Sequence, residues 1–264
     1  MSFTRRVMLA AVAAAGFAAP SAFAQDQTLK VGAYPSNPPW QFKNEKGEFE
    51  GFEVDLVREI AKRMNAKIEI QDLGFQALFA ATSSKRVDMA ISSITITKER
   101  LKSQAFTQGH YDSDMGLATR VDSPLKSLAD MKGKTLGGLA TSTGEKWINE
   151  NSARLGIAGS KSYDTQQNLL LDLQAGRLDG VISDVAGMQV TFTKMTTLKI
   201  AERIVTGDQY GIMMPKDSPL LAKVNDTVTA MKKDGALGAI HKKWLGADAE
   251  ASSSSAQERP LPKE

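Results

Sequence analysis

No cysteine occurs anywhere in the 264 residues of this chain. That excludes disulfide stapling and a lipid-anchoring lipobox cysteine, and it calls for a core large enough to stand without cross-links. Histidine is almost as rare. His110 and His241 are the only two. They lie far apart without ligand-spaced partners, so neither a metal site nor a cofactor is expected. The chain also lacks a glycine-rich phosphate loop and a recognisable nucleophile motif. An excess of one charge is missing too, with 33 Lys and Arg against 30 Asp and Glu.

What stands at the start is a targeting segment. Arg5 and Arg6 form a basic region, Val7–Phe17 is apolar and small, and Ala22-Phe23-Ala24 forms a cleavage site before Gln25. This is the pattern of a signal peptide over residues 1–24. The apolar run is short for a membrane span and no stop-transfer pattern follows it. Ordinary secretion fits better than twin-arginine export, because beyond the paired arginines that motif is poor. Without Arg5 and Arg6 the mature chain carries 31 basic and 30 acidic residues. Such a balance leaves no footprint for nucleic acid or another polyanion. An exported chain without cysteine fits a bacterial periplasmic protein.

The mature chain alternates strands and helices. Leu29–Ala33 reads as a strand, and the Pro-rich Tyr34–Trp40 as a loop. Gln41–Gly51 reads as a hairpin turning at Asn44–Gly47. Val54, Val57, Ile60, Ala61 and Met64 recur at helical spacing, which predicts a helix over Val54–Met64. Glu53 and Asp55 lie at its positive end. Lys67–Gln71 alternates as a strand, and Phe75–Ser83 is a short helix leading to a strand over Val87–Ile91. Ala118–Arg120 and Lys134–Leu139 are strands. Ser142 and Glu145 form a capping box that opens a helix through Leu155. Thr165–Ala175 is a helix stopped by Gly176, followed by a strand over Leu178–Ser183. Strands near Lys199–Ile204 and Tyr210–Met214 precede helices over Leu220–Lys232 and Leu237–Leu245. From Ala247 the Ser, Ala, Pro and charged residues predict a disordered tail over 247–264.

Met89–Arg100, MAISSITITKER, organises the chain. A buried strand turns at once into Ser92, Ser93 and Thr95 and closes on Arg100. Open α/β sheets bind ligands outside the carboxyl ends of their strands. Hydroxyls donate and accept, and a guanidinium fork matches a carboxylate, so the group suits a small zwitterion. Taken alone, the segment equally suits helix capping with Arg100 as a surface charge. An internal echo adds to it. Arg86-Val87-Asp88-Met89-Ala90-Ile91-Ser92-Ser93 resembles Arg177-Leu178-Asp179-Gly180-Val181-Ile182-Ser183-Asp184. Two similar α/β halves, each ending a strand in polar groups, suggest two lobes facing one cleft.

These residues resemble a known family, the amino-acid-binding proteins of bacterial ABC importers, solute-binding protein family 3. Gly51-Phe52-Glu53-Val54-Asp55-Leu56 matches its G-F-[DE]-V-D-L element. Val87-Asp88 with Thr95-Ile96-Thr97-Lys98-Glu99-Arg100 matches V-D…T-I-T-x-E-R. Gly176-Arg177-Leu178-Asp179 with Ser183-Asp184, then Tyr210-Gly211-Ile212 and Lys243-Trp244-Leu245-Gly246, complete an ordered set over about residues 28–246. The resemblance implies an α/β, two-lobed periplasmic-binding-protein fold of type II with two hinge strands, near Tyr111–Asp114 and Asp208–Gly211. Lobe one would be 28–111 plus 211–246, and lobe two 113–208. It implies a monomer that closes on a free amino acid and docks on an ABC permease in the inner membrane.

The resemblance also assigns roles. Arg100 would anchor the ligand carboxylate, with a hydroxyl or backbone N–H from Thr95 and Ser93. Ser92 would offer its carbonyl or hydroxyl to the ammonium, and Asp184 would be the ammonium's partner. Thr143, with Ser142 and Gly144, would present helix N-terminal amides to the carboxylate. Phe75 and Trp40 would be aromatic walls, with Gln76 and Leu139 along the side-chain pocket. Asn37 stands where many relatives carry an aromatic lid. Tyr34 stands where relatives selective for basic amino acids carry an acid, which favours a neutral polar ligand. Other readings use the same scaffold. A cyclohexadienyl (arogenate or prephenate) dehydratase would need a buried general acid, for which Glu145 is the only nearby nominee. A sensor would need a membrane partner on another chain.

Overall fold

The computed structural model describes residues 27–264. The expected signal peptide, 1–24, lies outside the described residues. The chain first forms β1 (Thr28–Ala33), β2 (Ser36–Asn37), the hairpin β3 (Gln41–Lys43) and β4 (Phe49–Glu50), and α1 (Phe52–Arg63). It continues through β5 (Lys67–Asp72), α2 (Phe75–Ser83), β6 (Met89–Ile91), α3 (Lys98–Leu101) and β7 (Gln104–Phe106). The long strand β8 (Tyr111–Arg120) then crosses to a second lobe. That lobe holds β9 (Thr135–Leu139), α4 (Thr143–Leu155), β10 (Gly159–Tyr163), α5 (Gln166–Gln174), β11 (Gly180–Asp184) and α6 (Val185–Phe192). Strand β12 (Leu198–Tyr210) crosses back, and β13 (Met213–Pro215), α7 (Leu221–Lys233) and α8 (Ala236–Leu245) complete the first lobe.

Each lobe is built on one five-stranded sheet, ordered β5-β1-β6-β13-β7 in the first and β10-β9-β11-β8-β12 in the second. Parallel strands sit at the heart of both: β1 between β5 and β6, and β9 between β10 and β11. The crossing strands pair antiparallel where the lobes meet, with Tyr111 opposite Tyr210, Asp112 opposite Gln209 and Ser113 opposite Asp208. This is the α/β, two-lobed architecture that the motifs imply.

Local chemistry explains the first lobe. Helix α1 buries Phe52, Val54, Leu56, Val57, Ile60 and Ala61. Met89, Met214, Val224, Val228, Met231 and Leu237 close the same core. The helix starts two residues before the predicted Val54, because Phe52 N donates to Pro39 O and Glu53 N to Trp40 O. Gly51 makes that approach possible. A Cβ there would lie 2.3 Å from the Trp40 carbonyl oxygen, and its φ of 133° is open to glycine alone.

The internal echo is structural. Asp88 Oδ2 accepts from Lys30 N at 2.8 Å, and Asp88 N donates to Lys30 O at 2.8 Å. Asp179 repeats both bonds on Thr135, at 2.8 and 2.9 Å. In each lobe the aspartate locks the incoming strand to its neighbour. The preceding helix ends in a left-handed residue, Lys85 at φ 58° or Gly176 at φ 73°. Ser92-Ser93 and Ser183-Asp184 therefore emerge at matching sheet edges.

Three expectations change. Strand β8 begins at Tyr111 rather than Ala118, because the polar Tyr111–Asp114 stretch is held by pairing with β12. Tyr210–Met214 is not one strand: β12 ends at Tyr210 and β13 begins at Met213. The tail over 247–264 is docked, not disordered. Ser254 N and Ser255 Oγ donate to Asp112 Oδ2 and His110 O at 2.7 and 2.9 Å. Lys232 Nζ donates to Gln257 O at 3.0 Å, and Arg259 N to Gln108 Oε1 at 2.9 Å. The composition was polar enough for disorder, but buried acceptors on the first lobe fix its path. Deleting 247–264 is expected to lower stability by about 2–4 kcal/mol, at about 1 kcal/mol per buried bond lost. Thermal unfolding of the shortened chain measures this, and an unchanged midpoint would contradict it.

Candidate functional site

One cavity opens between the lobes. Its wall includes Tyr34, Asn37, Phe75, Ser92, Ser93, Thr95 and Arg100 from the first lobe. Facing them are Leu139, Ser142, Thr143 and Asp184 from the second. The cavity measures about 80 Å³, against roughly 150 Å³ for an engineered cavity that holds benzene. The lobes are closed on each other. Gln166 N donates to Tyr34 Oη at 3.1 Å, and Arg100 Nη2 donates to Thr141 O at 3.1 Å.

Arg100 sits on the short helix α3, whose N-cap Thr97 accepts from Arg100 N at 3.1 Å. Its Nη1 donates to Thr95 O at 2.8 Å, and its guanidinium lies 5.0 Å from the Phe79 ring centroid and 6.0 Å from that of Phe75. These partners are carbonyls and rings. Burial pulls the guanidinium down to about 10, and the Asp208 charge offsets part of that. It remains a cation at neutral pH, with no salt-bridge partner among the described residues. An incoming carboxylate would supply one.

Across the cavity, the α4 N-terminus faces the same place. Ser142 caps it, accepting from Glu145 N at 3.1 Å. The capping box is altered on its other side, because Glu145 Oε2 accepts from Thr141 N at 2.7 Å rather than from Ser142. Thr143 and Gly144 lie in the first turn, whose amides have no acceptor within the helix. Gly144 is required there, since a Cβ would come within 2.5 Å of Ile182 O.

Asp184 ends β11 and caps α6. Its Oδ1 accepts from Gly187 N at 2.7 Å and its Oδ2 from Ser113 Oγ at 2.6 Å, while Tyr210 Oη donates to Ser113 Oγ at 2.8 Å. Burial pushes its carboxyl up to about 6 despite these donors. Asp208, which also lines the cavity, is raised by burial and held back by the Thr206 side chain and then by Arg100. Asp114 is engaged by Arg203 at 2.7 Å.

Several expected contacts take another form. Trp40 is not a cavity wall. It is 0% exposed and packed edge-on against Phe52, Tyr111 and Tyr210 in the first-lobe core. The hairpin after the prolines turns its ring inward. Ser93 N is not free for a ligand, because it donates to Glu53 Oε2 at 2.7 Å. Ser92 Oγ accepts from Tyr34 N at 3.0 Å and Gln41 Nε2 at 3.2 Å, so its oxygen serves the scaffold. Asn37 Nδ2 donates to Ser93 Oγ at 2.8 Å. Gln76 lies in an outer groove, beside Phe79 and Glu145, while Leu139 lines the cavity. Sequence reasoning missed Ser113, Gln166, Met188, Thr191 and Asp208. Ser113 and Asp208 lay within the two expected hinges, which was the available signal.

The raised carboxyl of Asp184 makes stability depend on pH. Its folded value of about 6 lies above the ordinary 3.8. The fold therefore favours the protonated acid. That contribution is full below about pH 4 and is lost as pH rises through about 6. Asp184→Asn is expected to stabilise the ligand-free protein at pH 7 by about 1–3 kcal/mol, allowing for solvent in the cavity. Its unfolding midpoint should also vary less between pH 4 and 7 than that of the unsubstituted protein. Equal pH dependence of the two would contradict the assignment.

A closed cleft between two α/β lobes joined by two crossing strands, with charges of opposite sign on its walls, defines a two-lobed solute-binding protein. The model of the bacterial extracellular solute-binding proteins, family 3, matches residues 29–247, and the chain belongs to that family. It is 30% identical over 226 residues to the L-cystine-binding protein TcyJ of Escherichia coli (strain K12), covering 84% of each chain. It is 31% identical to the histidine-binding periplasmic protein of Salmonella typhimurium (strain LT2), covering 84% of this chain and 89% of that one. Among solved structures it is similar to an ancestral arginine-binding protein bound to arginine, with a TM-score of 0.79 and 33% identity. That match covers 83% of this chain and 98% of the other.

Proposed function

We propose that this protein binds one free amino acid in the interlobe cleft and delivers it to an ABC permease. One observation carries this reading: Arg100 and Asp184 line one cavity from opposite lobes, and neither is paired with an opposite charge among the described residues. The ligand carboxylate bonds Arg100 and the first-turn amides of α4. Its ammonium bonds Asp184. A zwitterion that contacts both lobes selects the closed state, because only that state offers both charges at once. The named relatives are amino-acid-binding proteins by name, and the histidine-binding one is named as periplasmic, which supports a periplasmic location and the leader over residues 1–24.

The side-chain end of the ligand is neutral and polar. The cavity is small, and Ser36, Gln166, Ser183 and Thr191 line it. Asp208 is offset by Arg100, and Asp114 by Arg203. An enzyme reading has less support, since the nominated acid, Glu145, accepts from Thr141 N and lines the outer groove.

A thermal-shift screen against free amino acids tests the reading. A ligand at a hundred times its dissociation constant is expected to add about 2.7 kcal/mol. Arg100→Ala should remove the shift for every α-amino acid. A shift surviving in that variant would refute the carboxylate assignment, and shifts confined to Lys, Arg or His would refute the neutral side chain. Because the ammonium needs the ionised acid, and Asp184 ionises above about 6, affinity should fall about tenfold per pH unit below that value. Calorimetric titration at pH 5 and 7 measures this.

A further inference from the structure

Glu53 is a carboxylate that the binding reading does not use. It lies in the second position of α1, 0% exposed. Its Oε2 accepts from Ser93 N at 2.7 Å, and its Oε1 lies 3.0 Å from Nε2 of His110, itself 0% exposed. Ser93 holds a φ of 45°, in the left-handed region that a serine seldom adopts. The turn that carries Ser92 and Ser93 into the cavity is therefore not set by its own backbone preference. It is held from behind by a buried carboxylate.

His110 completes the arrangement. Its N donates to Tyr210 O at 2.8 Å, and its carbonyl accepts from Ser255 Oγ at 2.9 Å. It directly precedes β8, the first strand to cross between the lobes. These bonds fix the His110 backbone, its ring stacks on Phe52 with centroids 6.0 Å apart, and its Nε2 takes one Glu53 oxygen, which leaves the second oxygen towards Ser93. Glu53 N is tied in turn to Trp40 O at 2.9 Å. Both ends of the carboxylate's support are rigid elements, as a ligand-facing turn requires.

We infer that Glu53 is a positioning residue of the binding site. It acts through the Ser93 amide to hold the Ser92–Ser93 turn in its ligand-ready conformation, with His110 as its anchor. The inference rests on the amino-acid-binding reading, because the turn matters for affinity only if the ligand meets it. Glu53 itself touches no ligand. What it supplies is one acceptor at one place, so a neutral acceptor of the same shape serves as well. Glutamine can accept from Ser93 N and donate to the other tautomer of His110.

The test compares Glu53→Gln and Glu53→Met in the purified protein, titrating free L-amino acids one at a time by calorimetry. Glu53→Gln is expected to bind within about threefold of the unsubstituted protein, and Glu53→Met about ten- to a hundredfold more weakly, since misplaced site groups cost that much. Wild-type affinity in Glu53→Met overturns the inference. Equal loss in both variants also overturns it, because charge and not position would then matter. A lowered unfolding midpoint in Glu53→Met with unchanged affinity marks a merely structural role and overturns it as well. Should Glu53→Met fail to fold, hydrogen exchange of the Ser93 amide in the unsubstituted ligand-free protein decides. Protection supports the bond to Glu53, and exchange at the rate of an open loop overturns it. Arg100→Ala is the control for the parent reading. If that variant binds as tightly as the unsubstituted protein, the ligand assignment fails while the amide result stands on its own.

Discussion

A buried guanidinium with no salt bridge among the described residues is the constraint around which this protein is arranged. Arg100 is held between the lobes by two carbonyl oxygens and two aromatic faces. Carbonyls satisfy its donors but give its charge no salt bridge among the described residues, and the nearby Asp208 charge offsets only part of the cost of burial. Asp184 poses the opposite problem across the cavity. Its oxygens are satisfied by an amide and a hydroxyl, yet its carboxyl is pushed up to about 6. Each lobe can hold one such charge in the open, where water solvates it. In the closed structure the two charges line one cavity from opposite lobes, and neither has a salt-bridge partner among the described residues.

The two lobes solve one problem twice. In each, a helix ends in a left-handed residue, an aspartate locks the next strand to its neighbour, and the strand delivers polar groups to the sheet edge. The deliveries differ in chemistry. The first lobe supplies Ser92 and Ser93 in a turn held by Glu53, and the second supplies Asp184 as a helix cap. A shared framework thus places unlike groups at facing positions. Membership in solute-binding family 3 follows from the ordered motifs and the fold together.

Much of this could be read along the chain. Helix α2 spans the predicted Phe75–Ser83, and α4 runs from its Ser142 cap to Leu155. Their periodicity and capping residues are local signals. The edge strand β10, Gly159–Tyr163, went unread because its exposed GSKSY segment has no apolar alternation, and only pairing with β9 makes it a strand. Trp40 was misplaced for a related reason. An aromatic beside prolines suits a wall or a core equally, and only the packing of Tyr111 and Tyr210 decides. The tail was misread because composition measures what a segment can bury by itself, not which acceptors await it.

By itself the sequence determined the alternation of helices and strands, the Arg-x-Asp pattern that recurs before a strand in both halves, and the residue types that a small zwitterion needs. These depend on neighbours a few positions away, whose geometry the backbone sets. Only the tertiary structure decided which oxygens of Ser92 and Ser93 are already taken, that Asp208 and Ser113 join the cavity, and that residues 247–264 dock. Those outcomes turn on contacts between residues tens of positions apart, where a hydrogen bond given to the scaffold is no longer available to a ligand.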